Sequence, residues 1–207
     1  MPIKNIIFDL GGVIINIDYN RTFEAFRKLG GLHFDALYSK SKQDDLFDQY
    51  EIGKISSHEF RSALQKKLCI TINDEEFDRA WNAMLLDIPE ERLDFIKSLK
   101  TTYKIFLFSN TNEIHLKELF NICQKQNGLN SFEGYFDKEY YSNIFGKRKP
   151  NASAFACILA ENNLEASETL FVDDSWQHIL GAKEVGLHTL HVSKEKDIFE
   201  VSAVISE

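Results

Sequence analysis

Residues 3–13 read Ile3-Lys4-Asn5-Ile6-Ile7-Phe8-Asp9-Leu10-Gly11-Gly12-Val13, a short apolar run that stops at a carboxylate and two glycines. The same kind of run returns at 103–108 (YKIFLF) and 169–172 (TLFV), then at 187–192 (LHTLHV), with a shorter candidate edge strand at 136–141. Continuous β-branched or aromatic runs of this length are expected where strands are buried on both faces, as in a parallel sheet. Helical spacing fills the gaps between them. Pro89 with Glu90 and Glu91 opens one helix; Ile114, Leu119 and Cys123 mark a second; Phe155, Ile158 and Leu159 mark a third after Pro150. Ser175 starts a fourth that stops at Gly186. Strands alternating with helices predict an α/β fold with a doubly wound parallel sheet.

Between the first and second runs the pattern changes. Residues 17–87 show helices only. Phe23, Phe26 and Leu29 share one face ahead of Gly30-Gly31. Ser56 with Glu59 forms a capping box before Phe60, Leu64 and Leu68, and Asn73 caps the stripe Phe77, Ala80, Trp81, Met84 and Leu85. The expected organisation is a discontinuous α/β core, 1–16 and 88–207, carrying an all-helical cap over 17–87 at the carboxyl edge of the sheet.

Composition bounds the function. The chain has 207 residues, 43% of them hydrophobic, and 24 basic against 32 acidic side chains give a net charge of -8. That balance argues against a nucleic-acid or anionic-membrane binder. No run approaches the ~18 apolar residues of a spanning helix, and no signal-peptide pattern opens the chain, so a cytoplasmic protein is expected. Cys69, Cys123 and Cys157 are widely spaced and read as reduced thiols.

Ligands of open α/β sheets bind outside the carboxyl ends of the strands. Three of the expected strands end there in polar residues: Asp9, then Ser109-Asn110, then Asp173-Asp174. Asp, Ser and Asn also serve as ordinary turn and cap residues, but three strands ending this way make one crevice with several carboxylates. Lys149, before Pro150, is placed to join them, or else belongs to the solvated basic run 147–149. Neither a dinucleotide fingerprint nor a P-loop occurs. Oxygen ligands with few histidines suit Mg²⁺, hydroxyl, amide and lysine groups suit phosphate oxygens, and one carboxylate can serve as nucleophile.

The ordered set FDLGGV, LFSN, GKRKP and VDD resembles the haloacid dehalogenase (HAD) superfamily, in the form with a helical cap after the first strand. Within it the chain looks most like α-D-glucose-1-phosphate phosphatases, whose first motif also has Gly two residues after the nucleophile. The resemblance implies a Mg²⁺-dependent phosphomonoesterase acting through an aspartyl-phosphate on a small phosphorylated metabolite such as a sugar phosphate, with no protein partner. It implies Asp9 as nucleophile and metal ligand, the Gly11 carbonyl and Asp174 as further ligands, and Asp173 as a ligand or its supporting partner. Ser109, Asn110 and Lys149 bind the phosphoryl group, and Lys149 also neutralises the nucleophile.

Two positions depart from that pattern. Most phosphatases of the superfamily carry at position 11 an Asp that protonates the leaving group; here it is Gly11. General acid catalysis is typically worth about 10²–10⁴-fold, and Asp18, in the link to the cap, is either the candidate substitute or an ordinary surface turn residue. His178 stands where the related pattern has Asn or Asp, and reads either as a helix-surface residue or as a contact of the metal shell. Two other readings stay open: a metal-independent hydrolytic 2-haloacid dehalogenase, and a catalytically weak phosphate-binding regulatory protein. The Asp173-Asp174 pair favours the first reading over the dehalogenase, and the retained Asp9 and Lys149 favour it over the regulator.

Overall fold

The computed structural model describes residues 2–38, 45–193 and 195–206. Five strands form one sheet: β1 (Asn5–Phe8), β2 (Lys104–Ser109), β3 (Lys138–Tyr141), β4 (Thr169–Asp173) and β5 (His188–His191). All neighbours pair in parallel in the order β3-β2-β1-β4-β5, so the first strand lies at the centre. This is the doubly wound sheet expected from the sequence. Side chains alternate strictly across it. Ile6, Phe8, Ile105, Leu107, Leu170 and Val172 enter one apolar layer, while Ile7, Phe106, Phe108 and Phe171 enter the other. Each face is covered by helices, which is why the strands read as unbroken apolar runs.

Helices α1 (Tyr19–Lys28), α2 (Phe34–Leu37), α3 (Asp45–Glu51), α4 (Ser57–Leu68) and α5 (Asp74–Asn82) follow β1. They surround a third apolar cluster built largely of rings, including Phe26, Phe34, Phe47, Phe60, Phe77 and Trp81. The expected capping box at Ser56 forms, and Asn73 closes a second one, the two side chains accepting from the backbone N–H of Glu59 and Glu76. The four-residue α2 and the seven-residue α3 were not anticipated. The two connections to the sheet run side by side: Asn16 N–H donates to Asp87 O (2.9 Å), Leu86 N–H to Asn16 O (3.0 Å) and Asp18 N–H to Met84 O (2.9 Å).

The remaining helices are α6 (Glu90–Leu99), α7 (Glu113–Asn127), α8 (Ser142–Phe145), α9 (Ala152–Asn162), α10 (Trp176–Glu184) and α11 (Val201–Val204). Among the described residues no helix is long and apolar enough to cross a membrane.

Candidate active site

Sheet register assembles the site. Phe8 is level with Leu107 on one side and Val172 on the other, so Asp9, Ser109 and Asp173 leave the sheet at one edge. A cleft of about 280 Å³ opens there, lined by Asp9, Ser109, Asn110, Asp174 and His178 on the sheet side. Tyr19, Tyr38 and Glu51 line it from the helical segment.

Lys149 lies at the centre and is fully buried. Its Nζ is 2.7 Å from Asp9 Oδ1 and 2.7 Å from Asp173 Oδ2. The solvated reading of the basic run is therefore wrong for this lysine: Lys149 is turned inward, over the faces of Phe108 and Phe171. Burial works against its charge, but Asp173 and Asp9 beside it hold the ammonium protonated above its ordinary range. Two carboxylates share that one cation. Asp173 is the better satisfied: it also accepts from Ser175 N–H (2.7 Å) and lies 2.9 Å from His178 Nδ1. Burial opposes its ionisation, but Lys149 and His178 outweigh that and hold it at about 2. Asp9 is pushed up to about 8, first by burial and then by the charge of Asp173.

Asn110 does something the sequence did not disclose. Its Nδ2 donates to Lys149 O (2.9 Å) and its Oδ1 accepts from Lys149 N–H (2.9 Å). The amide is committed at both ends to the backbone of Lys149, so Asn110 positions that residue. The adjoining loop is pinned by Ser142, whose Oγ accepts from Thr111 N–H (2.9 Å) and donates to Thr111 O (3.0 Å).

Asp174 reaches the cleft beneath the glycine turn. Gly12 has φ +77°, and a Cβ there would lie 2.4 Å from Asp174 Oδ2. The turn therefore requires glycine twice over, for its left-handed backbone and for the carboxylate against it.

Two readings left open by the sequence resolve here. Asp18 does not line the cleft. It caps α1 by accepting from Asn20 N–H and faces Arg21 across 3.7 Å, with its side chain 41% exposed. His178 is not a surface residue, since it contacts Asp173 and borders the cleft. His115, unremarkable in sequence spacing, is buried, stacks on Trp81 with centroids 4.7 Å apart, and lies 3.2 Å from Trp81 O. Its partner Asn112 accepts from Trp81 Nε1 (3.3 Å) and from His115 N–H (3.0 Å). No spacing rule finds such a joint, because its halves lie 31 to 34 residues apart.

Oxygen donors at Asp9 and Asp174 suit a hard divalent cation. Burial and the charge of Asp173 resist ionisation of Asp9 despite Lys149 beside it, and a further cation there would relieve that. The residues present thus fit Mg²⁺.

A family model described as haloacid dehalogenase-like hydrolase matches residues 3–186. D-ribitol-5-phosphate phosphatase of Bacteroides thetaiotaomicron is 34% identical over 195 residues, covering 94% of this chain and 94% of that protein. A HAD family enzyme from Bacteroides thetaiotaomicron, crystallised with magnesium and inorganic phosphate, superposes with TM-score 0.84 at 34% identity, over 96% of this chain and 98% of that one. The structure of a predicted HAD-like family hydrolase from Porphyromonas gingivalis gives TM-score 0.89 at 30% identity, with both chains fully covered. The particular likeness to glucose-1-phosphate phosphatases receives no specific support from these matches.

Proposed function

Because the chain belongs to the haloacid dehalogenase-like hydrolases, we propose that it is a Mg²⁺-dependent phosphomonoesterase acting on a small sugar-alcohol phosphate such as D-ribitol 5-phosphate, with α1–α5 as its cap. The observation that carries this reading is Lys149, fully buried and 2.7 Å from both Asp9 and Asp173. A buried ammonium balancing one structural and one reactive carboxylate is the arrangement a phosphoryl-transfer nucleophile needs, since it offsets charge on nucleophile and phosphoryl oxygens together. The similarity to a named ribitol-5-phosphate phosphatase supports the substrate class.

In this reading Asp9 attacks phosphorus. The phosphorus–oxygen ester bond breaks, the leaving alkoxide takes its proton from water in the cleft, and an aspartyl-phosphate remains. Water then releases inorganic phosphate and restores Asp9. Ser109 Oγ, at the end of β2, holds a phosphoryl oxygen. Asn110 and Asp173 fix Lys149 against Asp9 and the phosphoryl group. Mg²⁺, held by Asp9, Asp174 and the Gly11 carbonyl, supplies electrostatic stabilisation of the transferring phosphoryl group.

Phosphate release from ribitol 5-phosphate and 4-nitrophenyl phosphate tests the proposal. Turnover is expected with Mg²⁺ and lost on chelation, and Asp174→Ala raises the Mg²⁺ concentration needed for half-maximal rate by tenfold or more, about 1.4 kcal/mol. Full activity after exhaustive chelation would sink the metal-dependent mechanism.

A further inference from the structure

Opposite the phosphoryl end, the cleft is walled by charged groups that the proposed chemistry does not use. Arg148 immediately precedes Lys149 and meets two acids of α3. Its Nη2 lies 2.9 Å from Glu51 Oε2, and its Nη1 pairs with Asp48 Oδ1. Glu51 is only 7% exposed, and Asp48, Glu51 and Arg148 all border the same cleft as Asp9. Two tyrosines complete this wall. The Tyr19 and Tyr38 rings are 6.1 Å apart, and Tyr38 is 5% exposed. The Tyr19 hydroxyl is held neutral first by burial and then by Asp174, Asp9 and Glu51, while Tyr38 is held neutral by burial, Tyr19 and Glu51. Tyr19, Tyr38 and Glu51 border the same cleft as Asp9 and Asp174.

A buried ion pair is a costly way to seat a helix, since apolar side chains of similar volume hold as well or better. The core of the helical segment is packed with aromatic rings, whereas Glu51 and Arg148 stand at the cleft. Its chemistry matches a chain of hydroxyls. A guanidinium carries five N–H donors, a carboxylate about four acceptor positions, and each tyrosine hydroxyl one donor with acceptor capacity. Adjacent hydroxyls of a polyol each donate once and accept, and so require donors and acceptors side by side.

We infer that Glu51 and Arg148, with the Tyr38 hydroxyl, form a subsite that reads the hydroxyl groups on the carbon chain of the leaving alcohol. This deepens the phosphomonoesterase reading and rests on it.

The test compares kcat/KM for ribitol 5-phosphate, n-pentyl phosphate and 4-nitrophenyl phosphate in wild type, Glu51→Gln and Tyr38→Phe. The measured quantity is the ribitol-to-pentyl ratio within each variant, which cancels any general loss of activity. A site built on hydroxyl contacts rejects the bare chain strongly, so the wild-type ratio is expected to exceed about 10². Glu51→Gln lowers it by about ten- to a hundredfold, as expected for a hydrogen bond to a charged group, and Tyr38→Phe by about two- to tenfold. Should Glu51→Gln fail to fold, Tyr38→Phe decides alone. A ratio unchanged while all three rates fall together would mean that the pair only seats α3, and would overturn the inference, as would a wild type indifferent to the hydroxyls. Failure of wild type on 4-nitrophenyl phosphate as well would instead overturn the phosphomonoesterase reading, and the subsite with it.

Discussion

At Asp9 the fold places a carboxylate where burial and Asp173 both resist ionisation, raising its pKa from 3.8 to about 8. An acid raised in this way contributes stability in full below pH 3.8, and that contribution is lost as pH rises through about 8. Asp9→Asn removes the titration and keeps the charge balance of Lys149 with Asp173. The variant is expected to lose turnover entirely, because an amide is a poor nucleophile, yet to melt no lower than wild type at pH 7 without Mg²⁺. Calorimetry beside a phosphate-release assay checks both halves, and near-wild-type rates would remove Asp9 from the chemistry. Gly11 allows a second test. Its backbone is not left-handed, and an added Cβ would meet only the Cδ1 tip of Ile17, at 2.6 Å. Gly11→Asp is thus accommodated by moving one flexible side chain. If position 11 faces the leaving oxygen, the variant speeds alkyl esters by up to about 10²-fold and aryl esters much less. The alkyl-to-aryl rate ratio within each protein is the measurement. An unchanged ratio in a folded, Mg²⁺-binding variant shows that the proton already has another source.

Helix α10 meets the Lys149 turn at Gly181, where a Cβ would lie 2.1 Å from Pro150 O. That neighbour is backbone and cannot swing aside, so helix and turn must separate. Gly181→Ala is expected to cost about 1–3 kcal/mol of stability, the usual scale of overpacking, and to lower kcat by displacing Lys149 from Asp9. Urea unfolding and steady-state kinetics measure the two effects; a variant unchanged in both would show that this contact carries no strain. The elements legible in the sequence were those with a local cause. β1, β2 and β4 announced themselves as apolar runs buried on both faces, and α4 and α5 by capping boxes that their own residues close. Helices α2 and α8 span four residues each and α3 seven, too few for a helical period to show. Yet α3 carries Glu51. The same limit hid the tasks of Asn110 and His178. Asn110 faces a backbone 39 residues away, which no spacing rule reaches, and His178 owes its place in the cleft to how α10 sits against β4. For Asp18 the link position left a site role and a surface turn role both open, and the second is nearer the truth, since its side chain caps α1.

The joint between the helical segment and the sheet depends on a neutral histidine. Burial presses the His115 pKa from 6.5 down to about 4, and its ring is stacked on Trp81 and lies 3.1 Å from the Asn112 amide. A group depressed on folding contributes its stability above the unfolded pKa of 6.5 and loses it as pH falls through about 4. The loss approaches about 1.4 kcal/mol per pH unit within that window. Asp9 titrates in the opposite sense over part of the range, so the informative comparison is between wild type and His115→Gln, which share Asp9. From pH 7 to pH 5 the wild-type urea midpoint is expected to fall further than that of the variant; equal falls would exclude His115 as the acid-sensitive element. At the scale of the whole chain, the central position of β1 has a consequence for biosynthesis. Its partners begin at Lys104 and Thr169, so a ribosome making about 5–20 residues per second leaves this apolar strand without its second neighbour for roughly ten to thirty seconds. The aromatic cluster of α1–α5 draws almost wholly on residues before β2, and can collapse while Asp9 still waits for the strand bearing Asp173. In the nascent polypeptide the helical segment is therefore complete before the crevice at the strand ends, and β1 spends that interval as an exposed apolar strand, the kind of edge prone to association.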